Sequence, residues 1–189
     1  MSIIDYIINK DRELFIYLNS LGNEHWDTFW LAVTNKFVWI PLYLLLLFLL
    51  YKYYGWKKTL ILLFIAAVLV TFTDQFVNLI KNISHRLRPN NDPSINQIIR
   101  ILKNSGGYSF VSGHATNSLA VSTFMIATLR KHFKPIYAIL IWPVLFAYSR
   151  IYLGVHFPVD VISGIILGLI IGYGFYKLSI FILSKIKFD

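Results

Sequence analysis

Lys81 and Arg88, then Ser112, Gly113 and His114, then Arg150, His156 and Asp160 put three cations, two imidazoles and a carboxylate into three short blocks of an otherwise apolar chain. His156 and Asp160 are four residues apart, about 40° around a helix. The carboxylate can therefore accept a hydrogen bond from one ring nitrogen and leave the other as a lone-pair donor, a nucleophile or base. Arg150 offers a planar fork of donors suited to two phosphate oxygens at once. Ser112 falls where an apolar run begins. A helix start carries unpaired N–H groups and partial positive charge, and Gly113 lets the backbone come close to an anion there. His114 at the rim of such a site is suited to protonate a departing oxygen. Each group also has a plainer reading: Lys81 as a snorkelling anchor, Ser112 as an N-cap, Asp160 as a helix cap beside a surface His156. Their combination at the ends of apolar segments is what points to an enzyme acting on a phosphate carried by a lipid.

The elements that must position these groups follow from composition. The 189 residues are 57% hydrophobic and 14% charged, with a mean hydropathy of +0.60, too few charges to cover a water-soluble domain of this size. An all-α integral membrane bundle is expected. Stretches 37–54, 58–80, 115–129, 135–152 and 159–183 are long enough, or nearly so, to cross a hydrocarbon core that takes about 20 helical residues. The third is polar at its start, with Thr116, Asn117 and Ser118, and so should face the bundle interior. Upstream, 11–21 and 24–33 mix acids with aromatic residues and read as amphipathic helices lying on the membrane. No repeat or linker divides the chain, so residues 1–189 are read as one domain, 1–35 interfacial and 36–189 the catalytic bundle. No cleavable signal peptide is expected at the start.

The formal charge of +9 raises nucleic acid as a partner, but the cations sit at the ends of apolar segments, and anionic lipid headgroups fit better. Cysteine is absent, which removes disulfides, thiolate metal sites and a cysteine nucleophile. If the spans alternate, Lys52, Lys57, Lys58, Arg130, Lys131, Lys134, Lys185 and Lys187 share one side. The positive-inside rule makes that side cytoplasmic. All three polar blocks then meet at the opposite, outward face. Asp74 and Asn78 lie on the same helical face as Lys81. A carboxylate inside a span needs a partner, which Lys81 or a pocket arginine would supply. Segment 90–107 is a lid candidate, and Arg86, Arg100 and Lys103 are candidate headgroup contacts, able to hold a second phosphate.

Read together, KNISHRLRP at 81–89, VSGH at 111–114 and SRIYLGVHFPVD at 149–160 resemble the type 2 phosphatidic acid phosphatase superfamily. Its pattern is K-x6-R-P, P-S-G-H and S-R-x5-H-x3-D, and the match keeps both order and internal spacing. Val111 stands where the family usually has proline, which alters how the chain enters the third span but removes no donor or nucleophile. The resemblance implies an all-helical membrane phosphatase that forms a phosphohistidine and uses no metal or other cofactor. In it His156 is the nucleophile, Asp160 orients it and His114 protonates the leaving group. Lys81, Arg88, Ser112, Gly113 and Arg150 bind the phosphoryl group, with Ser149 behind them. Activity should need neutral His156 and protonated His114, hence a bell-shaped pH profile. Among family substrates, undecaprenyl pyrophosphate ranks first, with lipid A phosphate and phosphatidylglycerophosphate behind it. The expected setting is the bacterial inner membrane. A vanadium haloperoxidase-like enzyme or a non-catalytic lipid carrier fits the apolar spans or the paired imidazoles less well.

Overall fold

The structure, a computed structural model, describes residues 2–187. Among these there is no strand, and six α-helices carry the fold: α1 (Ile3–Ser20), α2 (Glu24–Val33), α3 (Ile40–Ser84), α4 (Gly113–Leu129), α5 (Ile141–Tyr152) and α6 (Pro158–Lys185). Short 3₁₀ turns at Lys36–Trp39, Pro89–Asn91 and Lys134–Leu140 lead into or link them. The last of these, opened by Pro135, makes the beginning of the fourth expected span 3₁₀ rather than α.

α3 is interrupted at Gly55, where φ is 70° and ψ 171°, a conformation that costs a side-chain-bearing residue far more than glycine. Leu44 and Leu47 before the break line one apolar groove together with Leu60 and Leu63 after it. In a straight helix Leu44 and Leu63 would lie nearly 30 Å apart, so the two arms fold back on each other. Two of the expected spans are thus the two arms of one hairpin. Tyr54 at its tip donates to the Thr128 carbonyl near the end of α4, and Tyr53 stacks on His132. The tip, the end of α4 and the basic residues around them therefore occupy one end of the bundle, and Lys81 returns to the other.

Three stretches, Lys36–Asn91, Lys134–Tyr152 and Pro158–Lys185, are long and apolar enough to cross a membrane. Their outer faces carry Leu44, Phe48, Phe64, Val144, Ile170 and Phe181, all exposed, as a lipid-facing surface requires. The core is Leu50, Leu62, Leu69, Phe124 and Leu129 among others, between the α3 arms, α4 and α5.

α4 is the central helix and carries a low apolar content for a span because it is enclosed by protein. Ala115, Thr116, Leu119, Ala120 and Phe124 on it are buried. Against it α6 presents Gly164, Gly168 and Gly172, one per turn. A methyl group at Gly168 would sit 2.6 Å from the Thr116 carbonyl oxygen, and at Gly164 2.8 Å from that of Ser112. Small residues at this spacing let two backbones approach where lipid supplies no hydrophobic drive for association. α1 faces the bundle through a single stripe, Asp11, Phe15 and Asn19, spaced four apart and all buried. Gly168→Ala is expected to force α4 and α6 apart, lowering stability by about 1–3 kcal/mol, read as a reduced thermal midpoint in detergent with a parallel loss of activity.

Candidate active site

The turn between α5 and α6 carries His156, which is 1% exposed, six residues after Arg150, which lies in the last turn of α5 and is 2% exposed. The turn is closed on the arginine's own carbonyl, which accepts from Val155 N at 3.1 Å and His156 N at 3.2 Å. This local winding sets the imidazole and the guanidinium at fixed separation.

Arg88 reaches in from the segment after α3. Its Nε donates to the Gly106 carbonyl at 2.9 Å and its Nη1 to the Val155 carbonyl at 3.1 Å, and Nη1 also lies 3.0 Å from His156 Nε2. A guanidinium only donates, so Nε2 must accept and the ring proton belongs on Nδ1. The lone pair therefore points at a buried cation. Burial, then the nearby charges of Arg150, Arg88 and Lys81, hold the His156 imidazole well below its usual range, and the neutral ring is the resting form.

Asp160 stands behind the ring with Oδ2 at 3.5 Å from His156 Nδ1, an electrostatic neighbour rather than the close hydrogen-bond partner that the spacing suggested. The reason is competition. Asp160 accepts from the Phe157 backbone N–H at 2.9 Å, capping α6, and from Arg86 Nη1 at 2.6 Å. Arg86 in turn pairs with Asp11 on α1, whose other oxygen accepts from Val159 N–H. Arg86, expected as a headgroup contact, is thus committed between two carboxylates and lies over the Phe157 ring. Arg100 is likewise committed: Asp27 takes both hydrogen bonds at 3.0 Å, and the guanidinium lies over Tyr152. Both arginines turned to acids on the N-terminal helices, whose packing sequence spacing did not reveal.

The remaining expected groups converge. Ser112 is fully buried at the start of α4, its backbone N–H donating to the Asp160 carbonyl at 3.0 Å, and no side-chain bond caps the helix there. Gly113 approaches Lys81 Nζ, and His114 rests its ring on Phe146 at 5.2 Å. Lys81, Lys103, Arg150 and His156 are the charged or titratable neighbours of His114, so both imidazoles belong to one site. Ser112 Oγ and Arg150 Nε are buried with no hydrogen-bond partner among the described residues, and two such orphans near the imidazole mark a site built for a ligand. Ser149 bonds back to Phe146 O in its own helix and supports Arg150 only through the backbone. Asp74 pairs with Asn117 at 2.9 Å rather than with an arginine. Lys103 and Asn78 line a cavity of about 1370 Å³ that also takes in Lys81 and His114. The segment 90–107 is pinned rather than free, by Asn90 and Asn91 to Ser105 O and by Asn19 to Arg100.

Thr34, which accepts from Arg150 Nη1 at 2.6 Å, and Asp11 were not singled out from the sequence. For Asp11 the signal was present: an acid, Phe15 and Asn19 four residues apart form one stripe of α1, two polar groups where an amphipathic helix should bury apolar ones.

The sequence model of the PAP2 superfamily matches residues 58–181. The chain belongs to this superfamily. Its relatives include a lipid A 4'-phosphatase of Bacteroides thetaiotaomicron, 33% identical over 98% of this chain and 84% of the relative. An undecaprenyl-diphosphatase of Sulfolobus acidocaldarius is 33% identical over 82% of this chain and 64% of its own. Among solved structures, a transmembrane PAP2 type phosphatidylglycerolphosphate phosphatase from Bacillus subtilis has the same fold. Its TM-score is 0.71 at 23% identity, covering 96% of this chain and 88% of that one. This PAP2 chain is a membrane phosphatase that hydrolyses lipid phosphates.

Arg86→Ala leaves the buried Asp11 and Asp160 without their shared cation. The variant is expected to lose about 3–5 kcal/mol of stability, measured by thermal unfolding in detergent, with Arg86→Lys recovering part of it.

Proposed function

We propose that the protein removes a phosphate monoester from the headgroup of lipid A, through a phosphohistidine on His156. The substrate choice is supported by the Bacteroides lipid A 4'-phosphatase, which aligns with nearly the whole chain, N-terminal helices included. The undecaprenyl-diphosphatase alignment is shorter on both sides, so lipid A phosphate displaces undecaprenyl pyrophosphate from the first rank that sequence reasoning gave it.

The chemistry rests on one observation, the donation of Arg88 to His156 Nε2, which fixes the lone pair beside the cations. A phosphoryl oxygen competing for the same guanidinium frees that lone pair. Nε2 then attacks phosphorus in line, while Lys81, Arg88, Arg150 and the N–H groups at the start of α4 take the charge on the equatorial oxygens. The bond to the leaving oxygen breaks and His114 donates the proton that oxygen needs; burial and the cations around it favour the neutral ring in the free site, so the negative charge of the bound phosphate must raise it enough to carry that proton. Water next attacks the phosphohistidine, with His114, now neutral, accepting its proton. Phosphate leaves and His156 is restored. Asp160 stabilises the imidazolium side of this cycle from behind the ring.

The site faces the periplasm of a bacterial inner membrane in this reading, supported by the basic residues at the far end of the bundle. α1 and α2 lie in the interface, supported by exposed Ile4, Ile7, Tyr17, Trp26 and Phe29 on their outer faces.

Purified protein with chelator present should release phosphate faster from lipid A than from undecaprenyl pyrophosphate or phosphatidylglycerophosphate. His156→Ala should lower turnover by at least about a thousandfold, with loss of the acid-labile, base-stable phosphoprotein that an alkaline quench traps in the wild type. Near-normal turnover in that variant overturns the nucleophile. Because the His156 pKa is depressed, the ring stays neutral as pH falls through its ordinary range. The acid limb of kcat/KM from this group should therefore lie well below the value for a free imidazole, in profiles taken from about pH 5 to 8.

A further inference from the structure

Below the cations the cavity is walled by a ladder of uncharged and acidic polar groups that the phosphate chemistry does not use. Thr71, Asp74 and Asn78 come from the second arm of α3, and Asn117 and Ser118 from α4. On α3 these side chains fall on the face of Lys81, with Asn78 about 4.5 Å and Asp74 about 10 Å farther along the helix axis. Asp74 Oδ1 accepts from Asn117 Nδ2, and the amide oxygen of Asn117 is buried with no partner among the described residues. The remaining wall there is apolar, with Val70, Val121 and Trp142.

A carboxylate and unpaired amides along an apolar span are costly, and such groups persist where a ligand or another helix answers them. One hydrogen bond between α3 and α4 accounts for half of the Asp74 carboxylate. Asp74 is exposed at the cavity wall and the unpartnered Asn117 oxygen is buried just behind it, so this wall calls for donors. An alkyl chain offers none and would leave a desolvated carboxylate against methylenes. A second phosphate would be repelled by it. Hydroxyl and amide N–H groups on a sugar fit, and a hexosamine ring attached to the bound phosphate spans the distance to Asn78 and Asp74.

We infer that Asp74, Asn117 and Asn78 form a headgroup subsite that selects lipid phosphates whose phosphate is carried on a hydroxyl- and amide-bearing sugar, and disfavours phosphates carried directly on an alkyl or polyprenyl chain. This rests on the lipid A reading and names the part of the site that would enforce it. It also assigns Asp74 a role distinct from anchoring Lys81. Sites that hydrogen-bond a substrate hydroxyl discriminate against analogues lacking it, because an acceptor that the bound lipid cuts off from water is left unanswered.

The test is a selectivity ratio. For Asp74→Asn and Asn117→Leu, kcat/KM is measured on a short-chain lipid A phosphate and on a short-chain phosphatidate, together with melting in detergent. The ratio of the two kcat/KM values should fall about tenfold or more. Equal losses on both substrates, leaving the ratio at its wild-type value, would show a helix-packing or lysine-positioning role and overturn the inference. An unchanged ratio with unchanged rates overturns it too. A second arm does not depend on lipid A being the substrate: an N-acylglucosaminide glycolipid without phosphate should competitively inhibit phosphatidate hydrolysis by the wild type, and inhibit Asp74→Asn about tenfold more weakly. Inhibition equal in both, or absent from the wild type, sinks the subsite. Wild-type inhibition that weakens in the variant, alongside failure to hydrolyse lipid A phosphate, would instead retain the sugar-binding subsite and sink the lipid A assignment.

Discussion

Lys81, Arg88 and Arg150 are like charges held around one imidazole in surroundings of low polarity, and the rest of the architecture answers to that constraint. Like charges repel and burial penalises each of them, so the site must be enforced from outside. Backbone carbonyls do much of this: Gly106 and Val155 fix Arg88, and the Arg150 carbonyl winds the turn that carries His156. Thr34 fixes the Arg150 guanidinium. In the proposed reaction a bound dianion would relieve this repulsion, and charge developing on the equatorial oxygens would relieve it further, which is the differential binding that lowers a barrier.

The carboxylates are kept one layer back for the same reason. A carboxylate among the cations would neutralise them and compete with phosphate. Asp160 therefore faces the imidazole from behind and is itself neutralised by Arg86, which Asp11 shares. This relay links α1 to the start of α6. The ends of α4 and α6 are locked to each other by the Ser112 N–H to Asp160 carbonyl bond and by the glycine contact line below it. Close backbone packing and site geometry are thus one feature: a side chain at Gly164 would displace the Ser112 carbonyl.

Much of this was legible in the sequence, and the reasons differ by level. Apolar run lengths located the helical rods, because a bilayer demands satisfied backbone over a fixed thickness. Alternation then brought the three blocks to one end, since a rod that crosses must return. Spacing also exposed the His156 and Asp160 pair, although its separation of 3.5 Å depends on what else the carboxylate binds, and that partner lies 74 residues away in Arg86. Arg86 and Arg100 looked like headgroup contacts because a basic residue near a span end carries no sign of its partner. Their partners, Asp11 and Asp27, sit on helices whose docking leaves only a short stripe in the sequence. The pairing of Asp74 with Asn117 was hidden similarly, as neither residue's helix announces which face meets the other.

The N-terminal helices consequently have a larger part than their amphipathic pattern suggests. Asn19 alone bonds the carbonyls of Arg100, Ile151 and Tyr152 and accepts from the Arg100 N–H, stitching α1 to the loop and to the end of α5. Asp27 receives Arg100 and the Tyr152 hydroxyl, while Thr34 at the end of α2 accepts from the buried Arg150. The same two helices expose Tyr17 on α1 and Trp26 and Phe29 on α2, aromatic residues suited to a membrane interface. The α2 helix, whose outer face carries Trp26 and Phe29, grips Arg150 with its end, which ties the exposed N-terminal surface to the geometry of the site. It does so through short hydrogen bonds rather than through any large movement.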